Sequence, residues 1–202
     1  MSTTMKKYFK TIYRYSQLNT PISVSYFNFR AEKINKIRQN RMKNITKFIE
    51  YGEFKYYKGL ELICKKHYKI KEKRLFTNYT YILDEINDKK FTVLEPIDNI
   101  TMTFDIKFLS YFKLPWCLTV HSVQGLSIDG EVSLFDCNTP YVDGNFVWTA
   151  ITRVRDLKNI TYFEHSENEV KRLEDARLKQ FLKLKIDAYK RQDIDAKRTI
   201  NK

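Results

Sequence analysis

Apolar positions along the chain fall into contrasting textures. "PISVSYF" (21–27) is β-branched and aromatic, the pattern of a buried strand opened by Pro21. In the following "NFRAEKINKIRQNRMKNITKFIEY", Ile34, Ile37, Ile45, Phe48 and Ile49 recur near helical spacing among Lys, Arg and Asn. That spacing predicts an amphipathic helix, broken near Asn44. From Gly59 to about Phe108 the runs are short or alternating: "GLELICKKHYKI", "YTYILDEI", "KKFTVLEP" and "ITMTFDIKF". They predict a small antiparallel barrel or meander. "LPWCLTV" (114–120) is almost uniformly apolar, as in a parallel-sheet strand covered on both faces. "EVSLFDC" (131–137) and "NITYF" (159–163) read as further strands, with a helix in "DGNFVWTAITRVRDL" capped by Asp143 or Asn145. "SENE" has capping-box spacing from Ser166 to Glu169. Behind it Val170, Leu173, Phe181, Leu184 and Ala188 form an apolar stripe, and the chain beyond Tyr189 reads as a polar, frayed end.

A strand followed by a helix this early, with strands resuming after the β-rich stretch, predicts an α/β fold. The expected architecture is a parallel sheet with helices on both faces, interrupted by a small β-barrel-like insertion. The expected segments are residues 1–54, the first part of the α/β domain; 55–110, the insertion; 111–165, the rest of the domain; and 166–202, a C-terminal helix with a polar tail.

Composition sharpens this picture. At 202 residues and 43% hydrophobic content the chain can bury a substantial core. A formal net charge of +13 points to a polyanionic partner, usually nucleic acid. The bland alternative is a lysine-rich solvated surface encoded by an A/T-rich genome, such as that of a large DNA virus. Cys64, Cys117 and Cys137 lie far apart, which predicts buried free thiols rather than a disulfide framework. His67, His121 and His165 are equally scattered, so no metal site is expected. Neither a signal peptide nor a membrane-length apolar run is present in the sequence. A soluble intracellular protein without a membrane partner is expected, in the cytoplasm, the nucleus or a viral replication compartment.

Two segments carry candidate chemistry. In "TVHSVQG", Thr119, His121, Ser122 and Gln124 place four hydrogen-bonding side chains at the end of a predicted parallel strand, the edge where such sheets bind ligands. Gly125 permits a positive φ or a close backbone approach. The plain alternative is a core histidine followed by an ordinary turn. In "TAITRVR", Arg153 rises from an apolar neighbourhood, where a guanidinium needs an anionic partner. That partner is either a transferring phosphoryl group or a structural carboxylate such as Asp136 or Asp156. Arg155, nearer the predicted helix end, reads as structural.

Together, "WCLTVHSVQGLSIDG" and "FVWTAITRVRDLKNITYF" resemble the last two motifs of superfamily 1 DNA helicases of the Pif-like and RecD-like branch. The family patterns run T-x-H-K-S-Q-G-x-T-hydrophobic-D and hydrophobic-A-hydrophobic-[ST]-R-A-R. "VSYFNFRAEKIN" is similar to the family's fourth motif, and the resemblance spans about residues 20–165. It implies a RecA-like second motor domain with a small barrel inserted. It further implies that Arg153 is an arginine finger, that Gln124 and Gly125 sense the phosphate state, and that Thr119, His121 and Ser122 contact the single-stranded DNA backbone. Asn28 and Arg30 fall near the nucleotide cleft, with Arg30 assigned to nucleotide binding. Ser122 and Val123 stand where the family has Lys and Ser, and Asn78-Tyr79 where the barrel has an Asn-Gly turn.

None of the five glycines begins a GxxxxGK[ST] phosphate loop, and the Asp-Glu of "LDEI" follows no such loop. ATP and Mg²⁺ are therefore expected to be held mainly by a separate N-terminal motor domain, with this chain inactive alone. The expected partners are that domain and single-stranded DNA. One alternative is a catalytically inactive remnant that serves as a basic nucleic-acid-binding module. In the other the resemblance is accidental, and the chain is a small basic nucleic-acid-binding or structural protein.

Overall fold

The computed structural model describes residues 7–42, 45, 47–70, 73–139 and 141–200. Strands β1 (Lys10–Ile12) and β2 (Ile22–Ser25) and helix α1 (Asn28–Arg41) open the chain. Nine strands follow: β3 (Ile49–Tyr51), β4 (Phe54–Tyr56), β5 (Glu61–Cys64), β6 (Tyr68–Ile70), β7 (Lys73–Leu75), β8 (Thr80–Ile86), β9 (Lys90–Glu95), β10 (Ile100–Asp105) and β11 (Phe112–Lys113). Then come β12 (Cys117–Thr119), the one-turn helix α2 (Val120–Val123), β13 (Val132–Leu134), α3 (Gly144–Ile151), β14 (Ile160–Phe163) and the long helix α4 (Glu167–Ile200).

Five strands form a wholly parallel sheet in the order β1-β14-β13-β2-β12. Side-chain alternation assigns its two faces. Val24, Leu118, Val132, Leu134, Ile160 and Tyr162 pack with Val120 and Val123 of α2 and with Phe146, Val147 and Ala150 of α3. Burying each such aliphatic side chain stabilises the fold by about 1.5–3 kcal/mol. On the opposite face Ile12, Cys117, Phe135 and Phe163 meet Ala31 and Ile34 of α1. Ser23 turns to the α1 side, where the Arg38 guanidinium donates to its hydroxyl at 3.0 Å. Asn35 fixes α1 against β12: its amide accepts from Cys117 N at 2.9 Å and donates to Cys117 O at 3.1 Å.

Between α1 and β12 lies a five-stranded antiparallel sheet, ordered β10-β9-β8-β5-β11, with the hairpins β3-β4 and β6-β7 beside it. Its own core contains Leu62, Tyr81, Leu83, Phe91, Val93, Phe104 and Phe112. Tyr56 is a buried member of that cluster and Tyr68 packs against it. The chain is thus α/β, a parallel sheet flanked by helices and interrupted by a β-rich insertion.

Local details depart from the sequence pattern. Helix α1 stops at Arg41, and Phe48 and Ile49 are not helical; Ile49 starts a hairpin whose turn uses Gly52 at φ +62°. Asn44, the expected break, lies outside the described residues. Asp143 caps α3, accepting from Phe146 N at 2.9 Å, an arrangement that stabilises by about 1 kcal/mol. At α4, Ser166 accepts from Glu169 N at 3.3 Å, but the Glu169 carboxylate turns to Arg30 and His165 instead of completing the box. Leu173 of the predicted stripe is buried, whereas Phe181 and Leu184 are exposed. The helical backbone runs on through Ile200, past the expected fraying point.

Candidate functional site

The end of β12 leads straight into α2, and the spacing of apolar residues there orients the polar ones. Val120 and Val123, three apart, are buried against α3. Thr119 and Ser122, also three apart, share another face, with their hydroxyl oxygens 2.9 Å apart. Lys113 of β11 donates to the Ser122 hydroxyl at 2.6 Å. His121 and Gln124 project into solvent. The core histidine of this protein is His165, which is 3% exposed, and not His121. Gly125 adopts φ +82° with no atom near the position of an added Cβ. That conformation lets the chain turn back toward Ile128.

That return joins the two candidate segments. Ile128 N donates to Arg153 O at 2.7 Å, Arg155 N donates to Ile128 O at 3.3 Å, and Ile128 bridges Val154 in parallel. Arg153 therefore sits in the turn just after α3, not on the helix the sequence predicts. The bridge to Ile128 draws the backbone away from a helical course. Its guanidinium is half-buried and donates to the Thr152 hydroxyl at 3.2 Å, while its Nε is buried without a partner among the described residues. Neither carboxylate that could have paired with it does so. Asp136 binds elsewhere, and Asp156 pairs with Lys158 at 2.7 Å. Arg155 forms an exposed pair with Asp129 at 3.0 Å, worth about 0–1 kcal/mol.

Arg30 has a different place. Only 1% of its side chain is exposed, and its Nε donates to Asp136 Oδ1 at 3.0 Å. Nη1 pairs with Glu169 Oε1 at 2.8 Å and also donates to the Tyr15 hydroxyl. Asp136 Oδ2 accepts from Tyr26 N at 3.1 Å, and the His165 ring lies 3.0 Å from Asp136 Oδ1 and 3.2 Å from Glu169 Oε2. Burial disfavours the charged Glu169 carboxylate, but the hydrogen bond and charge of Arg30, with His165 alongside, outweigh it and hold its pKa below the usual range. This sealed network joins α1, the end of β13 and the start of α4. It engages Nε and Nη1 of the guanidinium that the sequence assigns to nucleotide binding, and leaves Nη2 buried without a partner among the described residues.

Lys113 is the charged residue at this site that sequence reasoning left out, whereas Lys65 belongs to the β-rich insertion, whose lysines suit phosphate contact by type. Lys113 lies outside any motif, and only its position on β11 opposite α2 reveals it. All three cysteines are buried and free, and burial pushes the Cys117 thiol up to about 12. Among the described residues no cluster of His, Cys, Asp and Glu is arranged to hold a metal ion. None of the described helices is long and apolar enough to cross a membrane.

No family model and no curated protein matches the chain. Solved structures do share its fold. A Bacteroides Pif1 bound to ssDNA aligns with a TM-score of 0.56 at 16% identity, over 80% of this chain and 45% of that one. A structure of two coordinating Pif1 helicases at forked dsDNA gives 0.53 at 16% identity, over 72% and 40%. Bacteroides Pif1 with ADP-AlF3 and ssDNA gives 0.51 at 16% identity, over 70% and 39%. The chain spans less than half the length of each. At this identity the likeness concerns the fold: this chain has the RecA-like α/β fold seen in those Pif1 helicase structures.

Proposed function

We propose that the chain is the C-terminal motor domain of an ATP-dependent DNA helicase. Arg153 acts on a nucleotide held chiefly by a phosphate-loop RecA-like domain outside this sequence. The observation that carries the reading is the state of the Arg153 guanidinium. It is half-buried, has no carboxylate partner among the described residues and keeps Nε buried without a partner, while the Arg153 backbone is tied through Ile128 to the segment following Gln124 and Gly125. An arginine left in that state suits an anion supplied from outside the domain. The bound nucleotide, with its Mg²⁺, supplies the γ-phosphoryl group. Arg153 neutralises charge growing on that group, and Gln124 and Gly125 lie in the turn that answers to its presence. Thr119, His121 and Ser122 contact the backbone of single-stranded DNA. The aligned Pif1 structures contain ssDNA and ADP-AlF3, which supports extending this chemistry here.

The test joins this chain to a phosphate-loop domain, in one polypeptide or as two. DNA-stimulated ATP hydrolysis should appear, and Arg153→Ala should lower it about 10³–10⁵-fold. The charge of +13 also favours a second reading, an inactive basic module that binds single strands. In that case DNA binding persists while no phosphate-loop domain restores hydrolysis.

A further inference from the structure

A recess of about 100 Å³ lies between the two sheets, and its two lysines come from no motif. Lys113 enters from β11 and Lys65 from just after β5, Thr119 from the end of β12, Ser122 from α2, and Asn28 and Glu32 from α1. An ammonium carries three N–H donors. Lys113 spends one on Ser122, whose hydroxyl continues the chain of polar groups to Thr119. Among the described residues no carboxylate lies within ion-pair distance of either lysine, although the charge of Glu32 acts on Lys65 from farther off. Burial, then the charge of Lys65, lowers the Lys113 pKa; burial also lowers that of Lys65, against the pull of Glu32. One half-buried and one exposed ammonium, with two aligned hydroxyls at a domain junction, leave donors in place for an anion that the chain does not itself provide.

We infer that Lys113 and Lys65, with Ser122 and Thr119, seat one backbone phosphodiester of a single nucleic-acid strand where it crosses between the two sheets. The inference rests on the nucleic-acid reading above and extends it to the insertion. Lys113 brings an ammonium to Ser122, so a strand passing the end of β12 is held by both sheets at once. A rearrangement between the sheets would then release it.

The test titrates the 202-residue chain with a fluorescein-labelled oligodeoxythymidylate across a range of salt concentrations. One lost phosphate contact makes the slope of log Kobs against log salt less negative by about 0.7, an affinity loss of about fivefold at 0.1 M salt. Lys113→Met should show that change, Lys113→Arg should restore the parent slope, and Lys89→Met in the β8-β9 turn should leave it unaltered. Lys65, with its exposed side chain, supplies the same test through Lys65→Met should Lys113→Met fail to fold. The parent slope in Lys113→Met and Lys65→Met, or an equal change in Lys89→Met, overturns the seat while leaving the nucleic-acid reading standing. A parent chain that binds no oligonucleotide at any salt overturns that reading and the seat with it.

Discussion

Replacing Asp136 with asparagine keeps the volume and a side chain that tolerates the φ of +67° found there, and removes the charge and one acceptor oxygen. The carboxylate is fully buried and serves Arg30 Nε, the Tyr26 and Phe27 amides and the His165 ring. An asparagine has one oxygen and an NH₂, so it must turn that NH₂ toward either the two amides or the guanidinium. Leaving a buried charge without its partner costs about 3–5 kcal/mol. Glu169 keeps its 2.8 Å contact with Arg30, which places the expectation near the lower figure, about 3 kcal/mol. For a chain of this size that is a fall in Tm of about 6–12 °C. Urea unfolding and thermal melting followed by circular dichroism read it directly. A loss below about 1 kcal/mol would show that the network is not what joins α1, β13 and α4.

Further predictions concern the same surfaces. The Glu169 pKa is depressed in the folded chain, so its stabilisation is complete above the ordinary glutamate range and is lost as pH falls through the lowered value. Glu169→Gln should therefore flatten the acid limb of a stability-pH profile, and an unchanged limb would remove Glu169 from the network. Gly125→Ala meets no steric obstacle but must adopt φ +82°, at about 1–2 kcal/mol, a Tm loss of roughly 2–8 °C. An unshifted Tm would mean that the turn relaxes freely.

Much of the fold is legible in the sequence because its parallel strands lie in short runs rich in β-branched, apolar and aromatic residues. "PISVSYF", "LPWCLTV", "EVSLFDC" and "NITYF" all contain strands of the parallel sheet. β1 escapes notice because it is a three-residue edge strand in which only Ile12 is fully buried, and its partner β14 lies far along the chain. The end of α1 is obscured because Ile45, Phe48 and Ile49 continue a helical spacing that the hairpin at Gly52 overrides. At the candidate site, side-chain type and spacing single out Thr119, Ser122, Gly125 and Arg153, whereas their pairing depends on contacts between distant segments. Asp136 is a plausible partner for Arg153 on paper. The fold gives it to Arg30, 106 positions away, and to His165. Lys113 becomes visible only when β11 is set beside α2.

The central claim is that the Arg153 guanidinium serves a triphosphate held by another domain. Its most direct test is the steady-state kinetics of ATP hydrolysis, with saturating single-stranded DNA, by the chain joined to a phosphate-loop domain, comparing the parent with Arg153→Ala. The account predicts that kcat collapses by at least about 10³-fold while DNA affinity and thermal stability stay near the parent's. An alanine variant that hydrolyses ATP at the parent rate, or one that loses its fold, would contradict it.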